Sequence, residues 1–353
     1  MLGFSAQMIE SRLGRDHHLV KVYYLLDWSR FGQLLSGLYD RSTPVAGVIP
    51  YDPSKMFRAM ILQAWHSLSD PKMEEALKVR MDFMWFAGFD VSDSVPDETS
   101  ICRFRNRLVD KQLDKVLFAE LNRQLIAHNI MIKEAKAAII DASIIESAAH
   151  PNQTVESIQE DRKEDESTPP AVVQQSADPD ATWLKKGRKS FFGYKLFAAV
   201  DEDGFARHVD MTPANQSEVT YFETVVNAMP KHKGMRVYSD KGNASKANRE
   251  MLKEQGLKDG IMHKAARNTP LTAWQKRKNH LISQIRYIVE QGFGTMKRPL
   301  NFSRASYFGL NRVHGQALRK MMCLNLKKAA NMIELLEPEN FPRRPEIRRL
   351  EVA

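Results

Sequence analysis

The sequence predicts an α/β (α+β) chain in two parts, an all-helical first half and a second half with a mixed sheet and flanking helices. Three observations lead there. Up to residue 128 apolar residues recur at spacings of three and four. From residue 137 short apolar and alternating runs replace them, and helical periods return between and after those runs. In the first half the pattern predicts helices over 8–13, 19–38, 53–68, 72–87, 101–108 and 113–128. Asp52-Pro53 and Asp70-Pro71 are cap-then-proline starts for two of them. The run Met81-Asp82-Phe83-Met84-Trp85-Phe86 reads as core between helices. The helix at 101–108 follows a turn at 94–100 and carries Arg103, Arg105 and Arg107. That is the pattern of a DNA-reading helix in a helix-turn-helix, and equally of an ordinary amphipathic surface helix.

In the second half, 137–141 is a short apolar strand and 193–200 alternates. Asp201-Glu202-Asp203-Gly204 then turns the chain into 205–211, which makes a hairpin. A helix at 218–229, a strand at 235–239, a helix at 245–254 and a strand at 260–263 follow, then long helices over 274–296 and 315–336. This order fits a mixed sheet with an antiparallel hairpin on one edge.

A length of 353 residues with 43% hydrophobic content excludes whole-chain disorder and allows two or three domains. No apolar run approaches the roughly 18 residues of a membrane helix. Glu10, Arg12, Arg15 and Asp16 stand where a secretory signal needs its apolar core, so a cytoplasmic protein is expected. Cys102 and Cys323 are too few for a disulfide framework or a four-thiolate zinc site, and His17, His18, His263 and His280 show no metal-ligand spacing.

The net charge of +9 points toward an acidic partner. Its distribution is more informative. Residues 151–182 hold eight acidic residues and two basic ones and read as an acidic, flexible, solvated insertion of net −6. Residues 264–320 hold twelve Lys or Arg and one carboxylate, Glu290. A solvated helical surface normally mixes signs, so this segment suggests a polyanion groove. The predicted organisation is a helical DNA-binding domain at 1–132, a catalytic domain at 133–336 containing the insertion, and a basic tail at 337–353.

Asp141 follows Ala-Ala-Ile-Ile, Asp240 follows Arg-Val-Tyr-Ser, and both are read as strand ends, where ligands collect in open sheets. Glu290 is retained inside a cationic helix, which suggests protection by a divalent cation. Each residue alone also fits a bland role, either Asp as a turn residue or helix cap and Glu290 as a partner for Arg286 at i−4. Together they supply oxygen ligands without nitrogen or thiolate, which favours Mg2+ or Mn2+ over zinc. Two such ions about 4 Å apart can activate an attacking oxygen and stabilise a leaving one in phosphoryl transfer. Glu146 is a further carboxylate, assigned to the surface by default. Trp183 and Trp274 are candidates for stacking on an unpaired base, with core packing or a loop anchor as the simpler role.

These residues resemble the DDE transposases of bacterial insertion sequences, specifically the insertion-sequence-five group within the insertion-sequence-four-like assemblage. Tyr51-Asp52-Pro53, Leu68-Ser69-Asp70, Val95-Pro96-Asp97-Glu98-Thr99 and Arg103-Phe104-Arg105 are similar to that group's helical domain. Asp141-Ala142-Ser143, Gly193-Tyr194-Lys195 and Ser239-Asp240-Lys241-Gly242 are similar to its catalytic segments. Arg286, Glu290 and Lys297 match the spacing of its glutamate motif, in which Ser283 replaces the family's tyrosine. The resemblance implies a ribonuclease H-like core in which Asp141, Asp240 and Glu290 are catalytic and hold two Mg2+ ions, with Mn2+ able to substitute. It implies nicking of double-stranded DNA at transposon ends and attack of the freed 3′ hydroxyl on target DNA. Arg286, Lys297, Lys241, Arg298, Arg103, Arg105 and Arg107 are the expected DNA contacts. A homodimer on DNA, in the bacterial cytoplasm at the nucleoid, completes the expectation. A non-catalytic helix-turn-helix regulator and a structure-selective nuclease of the same fold remain alternatives.

Overall fold

The computed structural model describes residues 4–39, 50–151, 153–156, 171–334 and 346–347. The first half contains α1 (Phe4–Leu13), α2 (His18–Leu25), α3 (Trp28–Leu34), α4 (Pro53–His66), α5 (Asp70–Val79), α6 (Met81–Ala87), α7 (Glu98–Asp110) and α8 (Leu113–Ala127). Two expected helices are each split. The 19–38 segment breaks because Asp27 leaves the helical conformation and its carboxylate accepts the Ser29 N–H at 3.0 Å, capping α3. The 72–87 segment breaks at Arg80, whose extended backbone ends α5 and starts α6. Asp52 caps α4 ahead of Pro53 as expected. Helix α5 is capped by Ser69, so Asp70 lies inside its first turn.

The second half adds β1 (Ala137–Glu146), β2 (Gln153–Glu156), β3 (Ala171–Gln174), β4 (Thr182–Lys186), β5 (Lys189–Val200), β6 (Ala206–Pro213), α9 (Glu218–Ala228), β7 (Arg236–Ser239), α10 (Lys246–Glu254), β8 (Lys258–Ile261), α11 (Ala273–Lys297) and α12 (Leu310–Met332). Two short pieces, β9 (Ile333–Glu334) and β10 (Glu346–Ile347), pair with each other, as do β2 and β3. Across the main sheet the order is β6-β5-β1-β7-β8, with β4 also on β5. Strand β5 is antiparallel to β1, β4 and β6, whereas β7 is parallel to β1 and β8 to β7. This is the ribonuclease H-like arrangement that the resemblance implied. Gly193 opens the long β5 register because a Cβ there would lie 2.3 Å from the Ile145 carbonyl oxygen of β1.

Alternation sorts the sheet into two faces. Ala138, Ile140, Phe197, Ala199 and Val237 pack under α9 and α10. Ile139, Leu196, Ala198 and Val200 face the other way, into a core shared with α11, α12 and the N-terminal helices. The boundary expected at 132 is therefore a change of secondary structure within one continuous core. Helix α12 crosses it with buried polar residues. Arg319 binds Asp114 at 2.6 Å, Lys320 donates to the Ala64 and Leu300 carbonyls and to Ser67 Oγ, and Asn325 Nδ2 donates to Asn122 Oδ1 and the Ala206 carbonyl while its Oδ1 accepts the Ala206 N–H. Each leaves an orphaned buried group if truncated, which ties the two halves together.

The acidic insertion departs from expectation at its C-terminal end. Asp178 is 1% exposed and accepts from Tyr194 Oη, Ser147 Oγ and the Gly309 N–H, while Asp180 accepts the Leu310 N–H that opens α12. Residues 157–170, and the basic tail apart from 346–347, lie outside the described residues. Among the described residues no helix is long and apolar enough to cross a membrane.

His17, His18 and His66 gather near Trp65, on which the His18 ring stacks at 5.3 Å. Burial, then the charge of His17, lowers His18 from 6.5 to about 4. A lowered folded-state value means that its contribution is complete above pH 6.5 and is lost as pH falls toward 4. With the ring partly exposed, the loss between pH 7 and pH 5 should be about 1 kcal/mol. His18→Leu should flatten the fall of unfolding free energy over that range in denaturant titrations; equal slopes for both proteins would contradict the assignment.

Candidate active site

Two strands and one helix build the site. The β1–β7 register pairs Ala137 with Arg236, Ala138 with Val237 and Ile139 with Tyr238. Continued by two residues, it sets Asp141 opposite Asp240. The parity of both residues places them on the face covered by α11, since Ile139 and Tyr238 belong to the core on that side. The expectation that Asp141 ends its strand needs correction. Strand β1 continues to Glu146 because β5 goes on pairing with it, and Asp141 stands opposite Ala198. The end that matters is that of the β1–β7 pairing, where the two parallel strands part.

Helix α11 starts at a capping box, in which Thr272 and Gln275 bond each other's backbone N–H. Its core side is Ile282, Val289, Phe293 and Met296. Arg286 and Glu290, one turn apart, lie on the flank above Asp141. Arg286 Nη2 donates to Asp141 Oδ2 at 3.0 Å and lies 3.7 Å from Glu290 Oε1. One guanidinium thus links two carboxylates of the expected triad, while Arg286 Nε is buried with no hydrogen-bond acceptor. Burial raises the Asp141 pKa; Arg286 and the Ala142 N–H oppose the rise, and the charge of Asp240 adds to it. Among the described residues no three His, Cys, Asp or Glu side chains already converge tightly enough to enclose a metal ion.

The expected DNA contacts divide. Lys241, in a 3-10 turn over Lys241–Asn243, is exposed, as are Arg298, Arg103 and Arg107. Lys297 is half-buried, its pKa lowered by burial and by Lys186, with Glu146 opposing. It shares the flank of Arg286 but lies about 16 Å farther along the helix. Glu146 is exposed as expected, and its backbone bridges to Ser303 and Ala305. Arg105 must be removed from the DNA contacts. It is 4% exposed, forms a bidentate pair with Asp70 at 2.6 and 2.7 Å, and lies 4.2 Å from the centroid of Tyr307. The connection before α7 spans 88–97, longer than the three or four residues of a helix-turn-helix turn, and Ile101, Phe104 and Leu108 bury its inner face. Trp183 and Trp274 are 54% and 64% exposed, which overturns core packing for both.

Sequence reasoning missed Lys327 and Lys328. With Arg298 and Glu290 they line an open groove of about 680 Å3 between α11 and α12. The basic segment 264–320 ends short of them, although no carboxylate occurs between Glu290 and Glu334.

Residues 133–326 match the family described as transposase DDE domain, and residues 7–107 match a second family, transposase domain (DUF772). A transposase for insertion sequence element IS1106 from Neisseria meningitidis serogroup B is 41% identical over 232 residues, covering 65% of this chain and 78% of the relative. The chain belongs to the DDE transposases. As such it is an enzyme that cleaves DNA and transfers strands. Solved structures similar to this transposase include a piggyBac transposase synaptic complex with hairpin DNA, 10% identical, TM-score 0.45, covering 89% of this chain and 74% of that one. A Mos1 transposase paired-end complex with the left transposon end is 12% identical with TM-score 0.21, covering 85% and 86%. At these scores the fold assignment rests on strand order and on the family match.

Arg105→Gln in this transposase should cost about 2–3 kcal/mol of stability, because it leaves the largely buried Asp70 carboxylate without its cation. Arg103→Gln and Arg107→Gln, at exposed positions, should each stay within about 0.5 kcal/mol. Thermal or denaturant unfolding distinguishes them; equal stability of all three would return Arg105 to the DNA contacts.

Proposed function

We propose that Asp141, Asp240 and Glu290 are the catalytic carboxylates of an insertion-sequence transposase that uses divalent cations to cut the element's ends and join them to target DNA. The observation that carries this reading is the Arg286 guanidinium set between Asp141 and Glu290, with Asp240 at the facing register position. The donor set fits a hard divalent cation: it is all oxygen, its buried member is raised in pKa by desolvation, and it already draws a positive charge. Mg2+ or Mn2+, two ions as the family implies, would supply Lewis acidity toward the phosphoryl oxygens and a more nucleophilic attacking oxygen.

The protein's own contribution is placement. Asp141 presents its carboxylate from β1, Asp240 from the turn just past the end of β7, and Glu290 a third from the half-exposed flank of α11. Arg286, with one N–H unsatisfied, is placed to exchange its hold on Asp141 for a phosphate of the cut strand. Lys297, Lys241 and Arg298 extend the cationic surface from either side of the carboxylates, and Lys327 and Lys328 add to it along the groove. Arg103 and Arg107 offer a separate surface in the helical half, where the inverted repeat is bound. Bringing two ends together calls for a homodimer on DNA, in the bacterial cytoplasm.

On DNA carrying the element's ends, with Mg2+, the purified protein should cut at the element boundary and join the product to a target duplex. Asp141→Asn, Asp240→Asn and Glu290→Gln should keep DNA affinity and lose more than roughly 100-fold in cutting, beyond the usual cost of a ligand's supporting residue. Cutting at the parental rate by these variants would overturn the assignment, and cutting without joining would make the protein a nuclease. Arg298→Ala and Lys328→Ala should each lower the slope of log affinity against log salt by about 1; unchanged slopes would take the groove out of the DNA path.

A further inference from the structure

Just below the two aspartates, a short chain of side-chain hydrogen bonds crosses from one strand to the other. Main-chain pairing of β1 with β7 stops at Ile139 and Tyr238. At the next step Ser239 Oγ donates to the Ile140 carbonyl oxygen at 3.2 Å, and Asn243 Nδ2 donates to Ser239 Oγ at 2.6 Å. Ile140 precedes Asp141 and Ser239 precedes Asp240. The hydroxyl therefore holds the peptide that leads into one aspartate and belongs to the residue that leads into the other. On its far side the Ser239 carbonyl accepts the Met262 N–H at 3.0 Å, so β7 is held from both neighbours at this point.

Asn243 closes the turn that carries Asp240. Asp240 Oδ1 accepts the Gly242 N–H at 2.7 Å, which fixes the start of the turn. The Asn243 carbonyl accepts Asn248 Nδ2 at 3.0 Å, and the same amide group donates to the Val219 carbonyl, which braces the end of the turn against α9 and α10. Ser239 is 0% exposed and Asn243 5%. Asn243 Oδ1 is buried with no hydrogen-bond partner. An orphaned buried acceptor costs about 1–3 kcal/mol, enough to cancel the gain from a hydrogen bond made elsewhere in the same side chain. The hydrogen bond that the Asn243 side chain does make is the one to Ser239 Oγ, so it braces the link between the two strands.

We infer that Ser239 and Asn243 are positioning residues that fix the separation of Asp141 and Asp240 where the sheet no longer does so. Removing either link lets the strand ends spread, and the two carboxylates then fit a shared divalent cation less well. The inference rests on the metal-binding role proposed for these aspartates.

The test is Mn2+ binding to the full chain without DNA, read by electron paramagnetic resonance of the free ion. Ser239→Ala and Asn243→Ala should each weaken binding about 10- to 100-fold, the usual range for residues that orient metal ligands. The double variant should be no weaker than the weaker single one, because a chain broken once is already broken. DNA affinity in EDTA should match the parent in both, which shows that the fold is intact; if Ser239→Ala does not fold, Asn243→Ala decides. Parental Mn2+ affinity in folded variants, alongside lost affinity in Asp141→Asn, would overturn the inference alone. Parental affinity in Asp141→Asn as well would show that the metal reading itself had failed, and the inference with it.

Discussion

Two carboxylates brought together where the parallel strands β1 and β7 part are the constraint on which the rest of the molecule depends. Like charges brought near each other repel, and the charge of Asp240 adds to the rise in the Asp141 pKa. Asp141 bears a further cost, since burial desolvates its charged form. The fold offsets both with cations, first with Arg286 at 3.0 Å and then with the strongly basic surface around it.

The two long C-terminal helices follow from that constraint. Helix α11 has to bring Arg286 and Glu290 over the point where β1 and β7 part, which requires an apolar side seated on the sheet and a fixed start. Ile282, Val289, Phe293 and Met296 supply the first, and the Thr272–Gln275 capping box supplies the second. Helix α12 then makes the catalytic and helical halves one body through Arg319, Lys320 and Asn325. The N-terminal helices thus share the core of the catalytic sheet, and a surface in one half is held rigidly relative to the carboxylates in the other.

Much of this was readable in the sequence, because it depends on local signals. Period changes located β1, β5 to β8 and most of the helices but not β2, β3 or β4, Asp52-Pro53 marked a real cap, and the anomalous charge of Glu290 picked out the helix that lies over Asp141. What could not be read depends on partners distant in sequence. Arg105 looks like its exposed neighbours Arg103 and Arg107 until α7 is rotated against α5 and it meets Asp70. Asp178 belongs by composition to the acidic insertion, yet Tyr194, Ser147 and Gly309 make it a buried junction. The 19–38 helix hid its break because a single Asp among apolar residues carries little weight until its carboxylate is seen to cap Ser29. Ser239 and Asn243 have no distinctive spacing, since their role depends on where β1 and β7 part.

The most direct measurement is anomalous diffraction from crystals of the protein grown with Mn2+. A cation that takes over the charge compensation now made by Arg286 predicts a manganese peak bound by Asp141 and Asp240, with the guanidinium rotated away from Asp141. A map with no peak there, and Arg286 still on Asp141 at saturating Mn2+, would contradict the account at its base.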